Sequence, residues 1–272
     1  GIFIMYFKNK LSGNMVPIVH ANGPAKFEKS WDDAVTTYFS EHSCEGEMSK
    51  DITVITWSIP EEETLLENCF KQLNLSDRLI VIPMKTPFNF LDKIRKMYKY
   101  LSLVKTKYVM ALDATDVMLL GYDAVDEVLR SFQRKEARCV FSAEIPQWPN
   151  IETGQGIMAA SGQAPFELGA WKTELTKIRE YEEVYEWLGS PFKHLCSGAW
   201  IGEREYMIDF YKECMDIIPE GWWDENLFGG DQGFITLVAG RRFPDVLLDY
   251  KSEMFLSLSG TTENEVEINL EP

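Results

Sequence analysis

Apolar and polar positions follow a regular rhythm between residues 51 and 144. Short apolar runs with the composition of buried strands alternate with stretches whose apolar residues lie three or four apart, which is helical spacing. The predicted strands are 51–57, 77–83, 107–116 and 138–144, and the predicted helices are 62–73, 91–104 and 124–135. This β-α-β-α-β-α-β alternation predicts an α/β fold, with a mostly parallel central sheet and helices on both faces.

The rhythm is looser on both sides of this block. Prolines and glycines after residue 145 predict a long loop that ends at 171. The pattern then predicts helices at 174–188, 204–218 and 231–240 and strands at 194–203 and 245–250, and places the acidic C-terminal residues at the fringe. Earlier in the chain, it predicts a short strand ending at His20, a turn at Asn22-Gly23-Pro24 and a helix near Trp31. We therefore divide the chain into an N-terminal segment, 1–50, and a main domain, 51–272.

The bulk composition narrows the range of partners. The chain has 272 residues with a formal net charge of −16, so its surface repels nucleic acid and anionic lipid. The same charge repels a nucleoside diphosphate, which would need a cation or basic side chains at its binding site. The five cysteines show no zinc-type spacing. Without a signal peptide or an apolar run of about eighteen residues, we expect a cytoplasmic protein with no transmembrane segment.

Two carboxylates stand where the third predicted strand ends. Asp113 and Asp116 follow the apolar run VMAL, and ligand sites of parallel sheets lie beyond the carboxyl ends of the strands. Hard oxygen ligands on a short turn suit Mg²⁺ or Mn²⁺ and leave positions open for phosphate oxygens. The alternative is a capping aspartate followed by a turn aspartate.

Three other segments carry candidate chemistry, each with a structural alternative. Ser197 and Gly198 begin a run of small residues that permits close approach of a ligand, or tight strand–helix packing. Asp231 follows two glycines at a predicted helix start, as a helix N-cap or as a carboxylate aimed at a substrate. His20 and Lys26 flank the N-terminal turn, as structural residues or as groups facing a metal and a phosphate.

Six segments considered together point to a known family. They are Asp113-Ala114-Thr115-Asp116, Val140-Phe141-Ser142-Ala143-Glu144 with Trp148-Pro149, Ser197-Gly198-Ala199-Trp200-Ile201-Gly202, Asp231-Gln232-Gly233-Phe234, the stretch from Leu248-Asp249 through Phe255 to Gly260, and His20-Ala21-Asn22-Gly23-Pro24-Ala25-Lys26. In these motifs the chain resembles the glycosyltransferase domain of the lysyl hydroxylase/procollagen glycosyltransferase family. The resemblance covers about 51–265 plus 15–26 and implies a GT-A fold.

The order of the motifs departs from the family in one respect. There the His-Gly-Asn-Gly-Pro segment follows the stretch that corresponds to 248–260, whereas here its counterpart has moved to the N-terminus. The segment is either a permuted part of this domain or the tail of a preceding, similar one. A second departure is that Gly229 and Gly230 precede Asp231, where the family often has an additional acid.

The resemblance also implies a role for individual residues. Asp113, Asp116 and His20 would hold Mn²⁺ or Mg²⁺, and Asp231 would act beside the sugar or the acceptor. The nucleotide sugar would be bound by residues from several segments: Thr56, Trp57 and Ser58 at the nucleoside, Lys93 and Ile94 beside the nucleotide, Asn22, Gly23 and Lys26 at the diphosphate, and Trp148, Ser197 and Gly198 around the sugar.

The function implied is transfer of a hexosyl or pentosyl group from a nucleotide sugar, UDP-linked, to a glycan or another hydroxylated acceptor. Such an enzyme would serve glycan biosynthesis, alone or within a larger multidomain glycosyltransferase. Two alternatives remain: a non-catalytic carbohydrate-binding domain on the same fold, and another metal-dependent nucleotidyl-type transferase. A dinucleotide-binding protein is excluded, because no G-x-G-x-x-G follows any predicted strand.

Overall fold

A computed structural model describes residues 5–41, 45–60, 63–150, 179–185, 188–223 and 229–270. The strands are β1 (Tyr6–Asn9), β2 (Ile18–His20), β3 (Ile52–Ser58), β4 (Leu79–Pro83), β5 (Tyr108–Leu112), β6 (Val117–Leu119), β7 (Cys139–Glu144), β8 (His194–Glu203), β9 (Val246–Leu248), β10 (Phe255–Ser257) and β11 (Val266–Asn269). The helices are α1 (Lys29–Glu41), α2 (Leu65–Gln72), α3 (Phe90–Leu101), α4 (Ala124–Gln133), α5 (179–185), α6 (Arg204–Ile217) and α7 (Asp231–Arg241).

Six strands form the central sheet, in the order β4-β3-β5-β8-β7-β9. The pairs β3–β4, β3–β5 and β7–β9 are parallel, and β8 runs antiparallel to both of its neighbours. Every residue of β5 and β7 is buried, as expected for strands whose sheet is covered on both faces. The α/β fold with a mostly parallel sheet is therefore confirmed, and the direction of β8 is the feature that the sequence pattern did not specify.

A second, smaller sheet joins distant parts of the chain. Its order is β10-β2-β6, with β2 parallel to β10 and antiparallel to β6. A separate antiparallel pair joins β1 to β11, so the C-terminal residues expected at the fringe form a strand instead. Both strands of the N-terminal segment thus pair with strands of the main domain.

Local side-chain chemistry fixes the ends of several elements. Thr64 and Glu67 form a reciprocal capping box at the start of α2, and Asn89 caps α3 by accepting a hydrogen bond from the Leu91 N–H. Buried Asp249 accepts backbone N–H bonds from residues 253, 254 and 255, which turns the chain from β9 into β10. These contacts position β10 beside β2.

The strand predicted over 107–116 is interrupted at the acidic residues. β5 ends at Leu112 and β6 begins at Val117, so both aspartates lie in the connection between two sheets. Of the helix predicted at 174–188, residues 179–185 are helical. Most of the loop predicted at 145–171 lies outside the described residues. In the described part of the chain, no helix is both long and apolar enough to cross a membrane.

Candidate functional site

Two separate segments converge where β2 and β5 end. Asp113 and Asp116 lie in the connection from β5 to β6, and β2 pairs antiparallel with β6 so that His20 is opposite Val117. The Ala21 N–H donates to the Asp116 carbonyl oxygen at 2.8 Å, which holds the two segments together. The register of the small sheet therefore brings His20 to the two aspartates.

The side chains of these three residues form a compact cluster, which we call the triad. His20 Nε2 lies 3.3 Å from Asp116 Oδ1 and 3.6 Å from Asp113 Oδ2. One ligand atom from each residue lies within 4.8 Å of the other two. His20 and Asp116 are buried, and the Asp113 side chain is 31% exposed, so the triad is reached from the Asp113 side.

The triad has the donor set and the unmet bonding capacity of a cation site. His20 Nε2 and Asp116 Oδ1 are both buried without a hydrogen-bond partner. Leaving a buried polar atom unpaired costs about 1–3 kcal/mol, so two facing each other call for a common partner. Imidazole nitrogen and carboxylate oxygens suit Mn²⁺ and related divalent ions. The residues present therefore fit a divalent cation.

The backbone of β8 closes the site from one side. The Asp113 N–H donates to the Gly198 carbonyl oxygen at 2.7 Å. A Cβ on Gly198 would lie 2.3 Å from His20 Cε1 and 2.5 Å from Asp113 Oδ2, so a side chain here would displace two triad residues. A Cβ on Gly202, in the same strand, would instead meet Met207 of α6. The packing alternative is thus realised at Gly202, whereas at Gly198 the absence of a side chain leaves room for the triad.

Two lysines border the triad. Lys93 is buried, and its Nζ lies 2.9 Å from Asp113 Oδ1, 3.3 Å from Asp231 Oδ2 and 4.4 Å from the centre of the Trp57 ring. Burial lowers the pKa of Lys93, but the charges of Asp113 and Asp231 outweigh it and raise the pKa above its usual value. Lys26 is half-exposed, with Nζ 3.3 Å from Asp116 Oδ2. The local positive charge that a diphosphate needs is therefore present in an acidic chain.

Asp231 is the first residue of α7, and its carboxylate does not cap the helix. The N-cap position belongs to Gly230, without a side-chain hydrogen bond, so the N-cap alternative is wrong. The Asp231 carboxylate instead pairs with buried Lys93. Burial raises the pKa of Asp231, opposed by the charge of Lys93. Asp231 is thus connected to the triad through Lys93.

The side chains predicted to bind the nucleoside and to lie beside the nucleotide have different surroundings. Thr56 is buried and donates to the Leu112 carbonyl oxygen at 2.7 Å, and Ser58 donates to the Ile59 carbonyl oxygen at 3.1 Å. The Trp57 ring contacts Lys93, which brings it to the site. Ile94 is fully buried in the hydrophobic core, so its side chain does not join this cluster.

A second polar cluster lies beside the triad and was not predicted from the sequence. Buried Glu144 accepts hydrogen bonds from Gln232 Nε2 at 2.6 Å and from Asn22 Nδ2 at 2.5 Å. Gln232 Oε1 accepts from the Ser197 N–H at 3.2 Å, and Asn22 Oδ1 accepts from the Ser259 N–H at 3.1 Å. Glu144 and Gln232 stand inside the motifs quoted above, which is the one signal that marks them. We call these residues the Glu144 network. Burial raises the pKa of Glu144 to about 7, against the opposing effect of the Gln232 hydrogen bond.

The remaining predicted residues surround these two clusters. Gly23 has a φ of +61°, a conformation that favours glycine, in the turn between Asn22 and Lys26. Trp148 is 41% exposed and its Nε1 donates to the Gly229 carbonyl oxygen at 3.2 Å.

Comparison with known proteins gives distant similarities in structure alone. No protein-family model and no curated protein matches the chain. It is similar to glucosyl-3-phosphoglycerate synthase from Mycobacterium tuberculosis in complex with Mn²⁺, UDP and glucosyl-3-phosphoglycerate, at 14% identity, over 81% of this chain and 72% of that one, with a TM-score of 0.38. The same enzyme with Mg²⁺ and UDP gives 12% identity, 85% and 79% coverage and a TM-score of 0.35. The fold assignment rests on the strand order and directions of this chain itself.

Proposed function

We propose that the chain is a metal-dependent glycosyltransferase of the GT-A type. It transfers a hexosyl or pentosyl group from a UDP-linked sugar to a hydroxyl group of a glycan or another acceptor. The observation that carries the proposal is the triad, in which two buried atoms from different segments lie 3.3 Å apart and neither has a hydrogen-bond partner. The six motifs, and the two lysines that provide positive charge at the triad, support it.

His20, Asp113 and Asp116 would hold Mn²⁺ or Mg²⁺. A bound divalent cation supplies positive charge that offsets the charge of the diphosphate as it leaves. The half-exposed ammonium group of Lys26 would bind diphosphate oxygens, with the turn at Asn22 and Gly23 beside them. These side chains would hold the donor with its phosphates toward the triad.

On the other side of the triad, Lys93 and Asp231 would prepare the acceptor. Lys93 is held between Asp113 and Asp231, so it keeps the carboxylate of Asp231 at a fixed place near the donor. Asp231 would orient the hydroxyl that attacks the sugar, since holding reactants in position accounts for a large part of such rate enhancements. Trp148, Ser197 and Gly198 would border the sugar.

We also infer that residues 1–26 belong to this domain and complete its site. β2 lies between β10 and β6, and β1 pairs with β11, so both N-terminal strands are integrated by backbone hydrogen bonds. β2 is parallel to β10, the strand of the stretch that the His segment follows in the family. A permuted domain accounts for this arrangement without a second site for His20.

A calorimetric titration of UDP, with Mn²⁺ or with EDTA, tests the proposal on wild type and His20→Ala. We expect UDP to bind only when Mn²⁺ is present, and to bind His20→Ala at least tenfold more weakly than wild type. His194→Ala is the matched control, because His194 pairs with Glu182 at 2.8 Å and is not one of the three triad residues. Binding that ignores His20 would show that His20 is not a ligand of the metal, and no UDP binding under any condition would overturn the proposal.

A second measurement separates the enzyme classes. Incubation of the protein with UDP-glucose, UDP-galactose or UDP-xylose and Mn²⁺, without acceptor, should release UDP slowly by hydrolysis. A nucleotidyl-type transferase would release no UDP, and a carbohydrate-binding domain would bind without turnover. Asp113→Ala combined with Asp116→Ala should abolish both the hydrolysis and the metal-dependent binding.

A further inference from the structure

Two half-exposed aromatic side chains lie against the turn that precedes α7. Phe90 is 47% exposed and Trp148 is 41% exposed. Trp148 Nε1 donates to the Gly229 carbonyl oxygen at 3.2 Å, and Phe90 packs against Gly230. We call Phe90 and Trp148, together with the neighbouring Trp223, the aromatic rim.

The two glycines are required for this packing. Both have a positive φ, +72° at Gly229 and +70° at Gly230. A Cβ on Gly229 would lie 2.8 Å from Pro149 Cδ and 3.0 Å from Trp148 Nε1, and a Cβ on Gly230 would lie 2.7 Å from Phe90 Cβ. The turn therefore presents uncharged backbone between aromatic rings, with no room for a side chain.

The aromatic rim is next to the proposed catalytic groups. Asp231 directly follows the turn, and Lys93 Nζ is 6.0 Å from the centre of the Phe90 ring. Lys93 joins Asp113 on the triad side to Asp231 on the rim side. Asp231 would thus lie between a molecule bound at the rim and a diphosphate held at the triad. An acceptor must occupy such a position to reach the donor sugar.

The start of α3 fixes the third member of the rim. Asn89 Nδ2 donates to the Trp223 carbonyl oxygen at 2.6 Å, and the Arg95 guanidinium lies 4.3 Å from the centre of the Trp223 ring. Arg95 also pairs with Asp92 at 3.2 Å. Arg95 and Asp92 at the rim therefore form an ion pair with each other, as Lys93 and Asp231 do.

We propose that the aromatic rim is an acceptor subsite that binds the ring of a neutral sugar, an inference that rests on the proposed glycosyltransferase function. One face of a sugar ring presents apolar C–H groups, which pack on an aromatic ring, while its hydroxyls stay free for polar contacts. The charged groups nearest the rim form ion pairs with each other, and a neutral ring leaves these pairs in place. The acceptor is therefore a neutral glycoside or glycan.

Acceptor kinetics with neutral methyl glycosides of glucose, galactose and xylose test this assignment. With a UDP-sugar and Mn²⁺, we expect wild type to glycosylate at least one of them. Phe90→Ala should lower kcat/KM for the acceptor by tenfold or more, mainly through KM, and leave UDP affinity and acceptor-free hydrolysis unchanged. Trp148→Ala should lower kcat/KM for the acceptor by a similar factor, and acceptor-free hydrolysis as well, because Trp148 also borders the donor sugar. Phe90→Tyr and Trp148→Phe keep an aromatic ring and should retain most activity. Tyr122→Ala removes an aromatic residue that is 51% exposed elsewhere and should change nothing.

Several outcomes would overturn the subsite. These are an unchanged acceptor kcat/KM in both alanine variants, an equal loss of UDP affinity in both, or transfer to charged hydroxyl acceptors but to no neutral glycoside. If no acceptor is used, the methyl glycosides are titrated directly by tryptophan fluorescence, and the absence of saturable binding sensitive to Phe90→Ala contradicts the subsite. Failure of the overall function shows separately, as absence of UDP binding by wild type.

Discussion

The triad and the Glu144 network lie side by side, and they differ in how completely their hydrogen bonds are made. In the network, both oxygens of Glu144 accept a hydrogen bond, and the amide groups that donate them are fixed by further partners. In the triad, His20 Nε2 and Asp116 Oδ1 are equally buried but have no hydrogen-bond partner. The two clusters are thus similarly buried, but only the triad has polar atoms that could still accept or donate a hydrogen bond.

This difference distinguishes a structural cluster from a binding one. A fully bonded buried network makes a local structure rigid and leaves Glu144 without bonding capacity for a metal ion. A buried cluster with unpaired atoms is unstable by itself and gains from a cation that satisfies them. The two are coupled, since Asn22 of the network and His20 of the triad are separated by one residue. We therefore expect metal affinity to respond strongly to changes at the triad and weakly to changes in the network.

Among substitutions outside the triad, the largest effect on metal affinity is expected from Gly198→Ala. Its Cβ would lie within 2.5 Å of atoms of both His20 and Asp113, so the ligands must move apart. Displacements of about 1 Å at such sites cost on the order of 100-fold in function, and we expect a similar loss of Mn²⁺ affinity. Isothermal titration of Mn²⁺ in the presence of UDP measures it.

Gly202→Ala is the matched control for that variant, in the same strand. Its Cβ would meet the Met207 side chain at 2.9 Å, away from the triad. This variant should lower the free energy of unfolding and leave Mn²⁺ affinity within about twofold of wild type. Equal losses of metal affinity in both variants would mean that β8 as a whole, rather than contact with the triad, determines the binding.

The sequence predicts the parts of this site that depend on local pattern. Asp113 and Asp116 were found because acids directly follow an apolar strand, and His20 because of the resemblance to a family. The approach of His20 to the aspartates depends on β2, β6 and β10, which have three residues each and no readable periodicity. Contacts such as Asn22 to Glu144 join residues 122 positions apart, and pattern within a short window does not reveal them.

A smaller effect is expected from Cys196, which contacts the other nitrogen of the His20 ring. Cys196 Sγ lies 3.5 Å from His20 Nδ1. If Nε2 faces a cation, Nδ1 carries the proton and donates a hydrogen bond to the sulfur of Cys196. Second partners of this kind orient metal-binding histidines. Cys196→Ala should weaken Mn²⁺ binding by about tenfold, measured by the same titration. Cys196→Ser retains an acceptor and should recover most of the affinity, whereas a serine variant as weak as alanine would contradict this orienting role.

The smallest effect on metal affinity, within about twofold, is expected from Glu144→Gln. The effect on stability is larger. Asn22 Oδ1 and Gln232 Oε1 are held by the Ser259 and Ser197 N–H groups, so both amide NH₂ groups point at residue 144. A glutamine there would set its own NH₂ group against one of them, and a buried unpaired donor costs about 1–3 kcal/mol. Urea unfolding above about pH 7, where Glu144 is ionised in the folded protein, measures the loss.

The pH dependence of that loss gives a sharper test of the network. The pKa of Glu144 is about 7 in the folded protein and near 4.5 when it is unfolded, so the folded state keeps the proton over that range. Wild-type stability relative to Glu144→Gln should therefore fall as the pH rises from about 4.5 to about 7, by roughly 3 kcal/mol at about 1.36 kcal/mol for each pH unit. A difference between the two proteins that stays constant from pH 4.5 to 8 would show that Glu144 is ionised throughout. In that case the two amide donors, rather than burial, would determine its charge, and the network would share the triad's buried negative charge instead of contrasting with it.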